Sequence, residues 1–259
     1  MQAMANKILQ TQGLRKEYGA LVAVADVSIE IEENTLHSII GPNGAGKTTL
    51  FNMLSGTVKP TAGSVVYRGE DITALPVYRT IRKGIGRSYQ ITNVFPNLSV
   101  FENIRLAAQS LRTNSFRFLR SIETIIDVNE RTEEVLERVG LTGDALKLAR
   151  VLPHGDQRKL ELGMILAPDP EVLLLDEPTA GMASNQVPEL IDLITDIQVA
   201  GDKTVVLVEH NMNVVMSASD RITVVHHGTV LAEGTPAEIA ANDAVQEAYL
   251  GRLYEEDGQ

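Results

Sequence analysis

A chain of 259 residues with 44% hydrophobic content can bury one large core and is not disordered. Aromatics make up 4% with no Trp, which argues against a base-stacking nucleic-acid platform, and a net charge of −11 gives neither duplex DNA nor an anionic lipid surface a reason to attract it. Cysteine is absent, which removes disulfides, thiolate metal sites and cysteine nucleophiles together and suits a cytosolic protein.

Along the chain, the opening "MQAMANKILQTQG" lacks the basic-then-apolar pattern of a signal peptide, and no apolar run reaches membrane-spanning length, so any membrane role is expected to run through protein partners. Leu21 to Ile31 places Val22, Val24, Val27, Ile29 and Ile31 as one half-buried strand of antiparallel type. "LHSII" (Leu36–Ile40) is a short buried strand running into a Gly-rich turn; "KTTLFNMLSG" then reads as a helix with Gly56 just past its end. "GSVVYRGED" is a strand and turn. From Ile91 to Ala167 the periodicity becomes helical with charged faces, predicting a helical insert. After it, the apolar runs "EVLLLDEP", "KTVVLVEH" and "RITVVHHGTVLAEG" alternate with helical stretches such as Gln186–Val199 and Met212–Ser219, which argues a mostly parallel sheet covered on both faces. "PAEIAANDAVQEAYLG" reads as two short closing helices, and the acidic tail "YEEDGQ" as frayed.

Two motifs carry chemistry. "GPNGAGKTT" (Gly41, Pro42, Asn43, Gly44, Ala45, Gly46, Lys47, Thr48, Thr49) fits G-x-x-x-x-G-K-[ST] with a buried strand before it and a helix after it. In that setting backbone N–H groups form a nest for phosphates, Lys47 brings a cation to the β- and γ-oxygens, and Thr48 offers a hydroxyl to Mg²⁺. "VLLLDEPTAG" places Asp176 and Glu177 at the carboxyl end of a buried strand, where open α/β sheets bind ligands. Asp176 suits Mg²⁺ held through water, and Glu177 suits polarisation of the water that attacks a γ-phosphate.

The two motifs, the intervening helical insert and the order of the later strands and helices resemble the ATP-binding subunit of an ABC transporter over essentially the whole chain. The resemblance implies an α/β P-loop core with a parallel sheet, an antiparallel β subdomain and a helical insert. It implies one nucleotide-binding domain over 1–259, with 1–90 and 168–259 as catalytic core and 91–167 as insert. It makes Tyr18 the aromatic on which adenine stacks, Gln90 the residue that touches Mg²⁺ and water, and His210, in "LVEHN", the switch histidine at the γ-phosphate. Glu177, His210 and Lys47 become the catalytic set; Thr48, Gln90 and Asp176 become the Mg²⁺ set.

The same resemblance reads "LPHGDQ" as the family's signature, which covers ATP held by the other subunit of a head-to-tail dimer through His154, Gly155 and Asp156. Pro153 departs from the usual serine and removes a hydroxyl donor, predicting a weakened but functional site. Ala183 departs from the usual Asp or Asn of the loop coupling the two sites. "ITNVFPNLSVFENI" is expected to help form the cleft for a permease helix, with Val94, Phe95, Leu98 and Phe101 each otherwise readable as plain core.

Within the family, "GRSYQITNVFPNLSVFENIRLAAQ", "HGDQRKLELG", "EPTAGM" and "LAEGTPAEIAANDAVQEAYLG" are most similar to the larger ATPase of branched-chain amino acid importers. That implies ATP and Mg²⁺, a homodimer or a sister ATPase, two integral-membrane permeases, indirectly a periplasmic solute-binding protein, no nucleic acid, and a cytoplasmic site on the inner face of the membrane. Urea or amide importers and a lipopolysaccharide exporter would look alike; a non-transport ABC ATPase and a non-hydrolysing nucleotide-binding regulator are the remaining readings.

Overall fold

A computed structural model describes residues 6–88, 94–110, 122–200 and 203–248. Gln90, the first residues of "ITNVFPNLSVFENI" and the acidic tail lie outside them.

Five strands form a parallel sheet in the order β10-β4-β9-β8-β7: β10 (Arg221–His226), β4 (Leu36–Ile40), β9 (Thr204–Val208), β8 (Val172–Asp176) and β7 (Ile85–Arg87). β4, β8 and β9 are buried at every position, as parallel strands covered on both faces must be. Alternation decides which side chain faces which layer. Leu173, Leu175, Val205 and Leu207 join the core under the helices that follow residue 99. Val172, Leu174, Val206 and Val208 join the other core, with Leu50, Phe51 and Leu54 of α1 (Lys47–Leu54). The first layer contains α3 (Val100–Gln109), α4 (Ile122–Arg138), α5 (His154–Leu166) and α6 (Val187–Ala200). α1 ends at Ser55, followed by Gly56 at φ 75°, the left-handed stop expected from the sequence.

An antiparallel group completes the sheet: β1 (Lys7–Tyr18) pairs with β2 (Leu21–Val27), β3 (Glu30–Glu32) and β5 (Ala62–Tyr67), and β5 pairs with β6 (Glu70–Asp71). β11 (Thr229–Gly234) returns beside β10 as a hairpin and touches β2. The single strand predicted over Leu21–Ile31 is two. β2 pairs with the second half of β1 and β3 with the first, and at the break the Thr11 hydroxyl donates to Val27 O (2.9 Å) and accepts from Ile29 N (3.0 Å). Val22 accordingly lies exposed rather than inward.

α2 (Val77–Arg82) precedes β7, α7 (Met212–Ala218) follows β9, and α8 (Pro236–Ala240) starts at a Thr235–Glu238 capping box, satisfying its first donors. The last described residues, 243–248, are helical. No described helix is long and apolar enough to cross a membrane.

Candidate functional site

The carboxyl ends of four adjacent parallel strands deliver the chemistry to one edge. β4 runs directly into Gly41–Gly46, β8 ends on Asp176 and is followed by Glu177, β9 is followed by Glu209 and His210, and β7 by Ser88.

The Gly41–Gly46 turn can be made only where side chains are missing. A Cβ on Gly41 would sit 2.1 Å from Val225 O, and one on Gly46, at φ 101°, would sit 2.3 Å from Ala23 O. Ala45 N bonds Pro42 O at 3.1 Å and Ala45 O accepts from Gly228 N at 2.9 Å, which ties the loop to itself and to the β10–β11 turn. The Lys47 side chain is buried against the loop, with Nζ donating to Gly41 O (2.7 Å) and Pro42 O (3.1 Å). Asn43, Gly44 and Thr48 are exposed and Thr49 half-buried. Backbone amides at the start of α1, a lysine and an exposed hydroxyl thus share one turn, an arrangement suited to a polyphosphate.

Asp176 is buried, its N–H donates to Ser88 Oγ at 2.9 Å, and its Oδ1 makes no hydrogen bond among the described residues. Burial pushes its carboxyl above the ordinary value; Arg87 and Lys47 pull it down, while Glu177 and Glu209 add to the rise. A buried carboxylate oxygen that no described residue donates to, at the same sheet edge as a phosphate-type loop carrying an exposed threonine hydroxyl, fits Mg²⁺, which takes one or two protein oxygens and completes its shell with phosphate and water. Among the described residues no three His, Asp or Glu side chains cluster as a closed metal cage.

Glu177 adopts φ 47°, unusual for a non-glycine residue, with its N–H bonded to Val208 O at 2.9 Å. Its Oε1 lies 3.5 Å from His210 Nδ1, so the two side chains assigned to the water and the γ-phosphate sit together at the sheet edge. His210 is largely exposed and Glu177 half-buried.

Residues 24–180 match the ABC transporter family, and residues 229–254 match the branched-chain amino acid ATP-binding cassette transporter family. The chain is 41% identical over 256 residues to the high-affinity branched-chain amino acid transport ATP-binding protein LivG of Salmonella typhimurium, covering 96% of this chain and 99% of that protein. It is 32% identical over 247 residues to the lipopolysaccharide export system ATP-binding protein LptB of Haemophilus influenzae, covering 95% and 98%. Among solved structures it superimposes on a dimeric ATP-binding cassette in a post-hydrolysis state bound to ADP and Pi, with TM-score 0.74, 26% identity, and coverage of 88% of this chain and 99% of that one.

The chain belongs to the ABC transporter ATP-binding family.

In this ABC cassette Tyr18 ends β1 opposite Leu21, 48% exposed, with the Lys16 ammonium 5.1 Å from the ring centre. β2 then carries Ala23 against Gly46, which sets the Tyr18 hairpin beside the phosphate loop.

The "LPHGDQ" stretch begins α5. Pro153 occupies the N-cap with no side-chain cap; its carbonyl accepts from Gln157 N at 3.0 Å. His154 is exposed and lies against Gly181, whose Cβ would meet its ring at 3.5 Å. Gly155 is buried under the Gln186 side chain, and Asp156 is half-buried, 3.5 Å from Lys159 Nζ. One turn on, the buried Arg158 pairs with Glu161 at 2.9 Å and donates to Ala180 O at 3.2 Å. The start of α5 is therefore mounted on the loop that follows Glu177. Ala183, in that loop, is exposed and accepts from Gln186 N at 2.8 Å.

An apolar groove of about 410 Å³ opens beside the helical layer, lined by Val94, Phe95, Ala107, Met164, Ile165 and Pro170. Val94 and Phe101 also pack on the helical core, whereas Phe95 is 51% exposed.

Motif reasoning misses four supporting residues. Arg87 bonds Asn52 Oδ1 (2.5 Å) and Thr57 Oγ1 (2.8 Å) and lies 5.2 Å from the Phe51 ring centre; Ser88 holds the Asp176 amide; Thr179 and Glu209 bond each other. Only Glu209, a carboxylate adjoining His210 at a strand end, carries a local signal.

Proposed function

We propose that this cassette is the ATP-hydrolysing subunit of a branched-chain amino acid importer. The convergence of Lys47, Asp176, Glu177 and His210 at one sheet edge supports hydrolysis. End-to-end similarity to LivG, stronger than to LptB, together with the family match over residues 229–254, supports the substrate class.

The Gly41–Gly46 amides and Lys47 hold the β- and γ-phosphates, and Tyr18 presents its exposed ring to adenine. Thr48, Asp176 and Gln90 would hold Mg²⁺, which supplies charge neutralisation on the phosphate oxygens. Glu177 accepts the proton of a water as its oxygen bonds to the γ-phosphorus; the bond to the β–γ bridging oxygen breaks, leaving ADP and phosphate. His210 donates to the γ-phosphate oxygens and is kept near Glu177 by their shared edge. His154, Gly155 and Asp156 complete the site of a partner cassette in a head-to-tail dimer, without the hydroxyl that Pro153 removes. The Phe95 groove receives a coupling helix of one permease, and that contact would hold the cassette on the cytoplasmic face of the membrane.

The purified chain should show Mg²⁺-dependent ATPase activity that Glu177→Gln lowers by about 10²- to 10⁴-fold, the range of a positioned general base. It should co-purify with integral-membrane proteins, and cells lacking it should lose uptake of labelled leucine, isoleucine and valine but keep that of urea. No ATPase activity, or loss of urea uptake alone, would overturn the proposal.

A further inference from the structure

Glu209 is a carboxylate 1% exposed to solvent that the hydrolysis chemistry above does not use. A charge so buried is tolerated only when donors surround it, and three do. Oε1 accepts from Thr179 Oγ1 at 2.6 Å and from Thr179 N at 3.1 Å, and Oε2 accepts from the His210 amide at 3.3 Å. Thr179 is itself buried. It lies two residues beyond Glu177, in the turn closed by the bond from Ala180 N to Glu177 O at 3.0 Å.

That turn needs holding. Glu177 sits at φ 47°, a conformation that persists in a non-glycine residue only where its surroundings over-determine it. One end of the turn is fixed to the sheet by Glu177 N on Val208 O. The other end is fixed by Thr179 on Glu209, whose second oxygen holds the backbone of His210.

We propose that Glu209 is a positioning residue for hydrolysis, a buried clamp that keeps the Glu177 turn and the His210 loop in one fixed relation. Glu209 never touches nucleotide; it acts through Thr179 and the His210 amide. This rests on the reading of the cassette as an ATPase.

The atoms specify distinct effects for two substitutions. Glu209→Gln keeps one oxygen for Thr179 but sets an NH₂ against the His210 N–H, donor facing donor, so the His210 side of the clamp opens. Thr179→Val removes the hydroxyl and leaves the Glu177 side held by the Thr179 N–H alone, and Thr179→Ser restores the hydroxyl. Steady-state ATPase assays on the full chain should show kcat lowered about tenfold in Glu209→Gln and in Thr179→Val, the scale of one charge-assisted hydrogen bond, and largely recovered in Thr179→Ser. Binding of a fluorescent ATP analogue and KM should stay within about threefold, because neither side chain contacts the phosphates. Should Thr179→Val fail to fold, the nearly isosteric Glu209→Gln decides alone. Folded variants with kcat within about twofold of the parent, or with binding lost in step with kcat, overturn the clamp. A parent chain without ATPase activity overturns the ATPase reading and the clamp together, whereas an active parent with unaffected variants overturns the clamp alone.

Discussion

His37 lies in the middle of the sheet on β4, the strand that leads into the phosphate loop, and is fully buried. Its Nε2 is 2.7 Å from Thr223 Oγ1 on β10, and its Nδ1 has no hydrogen-bond partner among the described residues. Burial, helped by repulsion from Arg221, lowers its pKa from 6.5 to about 4. The unfolded chain therefore binds a proton between those values and the folded chain does not, so stability is full above pH 6.5 and falls as the pH drops toward 4. The difference corresponds to about 3 kcal/mol in total, of which about 2 kcal/mol is lost between pH 7 and pH 5. His37→Gln keeps a polar contact to Thr223 and cannot titrate in this range. Urea unfolding of parent and variant at pH 7 and pH 5 isolates the contribution, because every other titrating group is common to both. The parent should lose about 2 kcal/mol more than the variant on acidification, with unchanged m-values. Equal losses in the two proteins would show that folded His37 takes up a proton as readily as the unfolded chain does, and so contributes nothing to the acid sensitivity.

Gly46→Ala would drive a Cβ toward Ala23 O at a left-handed φ, so a melting-temperature drop equivalent to about 2 kcal/mol or more, with loss of ATP-analogue binding, is expected; unchanged binding would mean the loop relaxes freely. Pro153→Ser supplies both an N-cap side chain and a donor to the partner's phosphate, raising ATPase activity by about tenfold and helix stability by about 1 kcal/mol; an unchanged rate would show that the hydroxyl is not used. Phe95→Asp places a charge in the apolar groove on an already exposed side chain, so it should abolish co-purification with membrane partners while ATP binding and melting temperature hold; intact co-purification would move the docking surface elsewhere.

Features that close within a turn or two of chain are written in the residues themselves. The phosphate loop, the buried strands β4, β8 and β9, the helix starts and the carboxylate pair at Asp176 and Glu177 are legible because dihedral demands and side-chain period are local. β1 was not legible: register shifts against each of its partners, with Gly13 at φ 57°, break the alternation that marks a strand. β7 is three residues long, too short to show any period. It took the assembled sheet to make Ser88 hold the Asp176 amide across 88 residues, to bring Glu209 to Thr179 across 30, and to let Arg158 reach Ala180. Those meetings come from the strand order β4-β9-β8-β7, which makes neighbours of segments far apart in the chain. That order is chosen by burying both faces of the sheet at once, a condition that no single window of sequence contains.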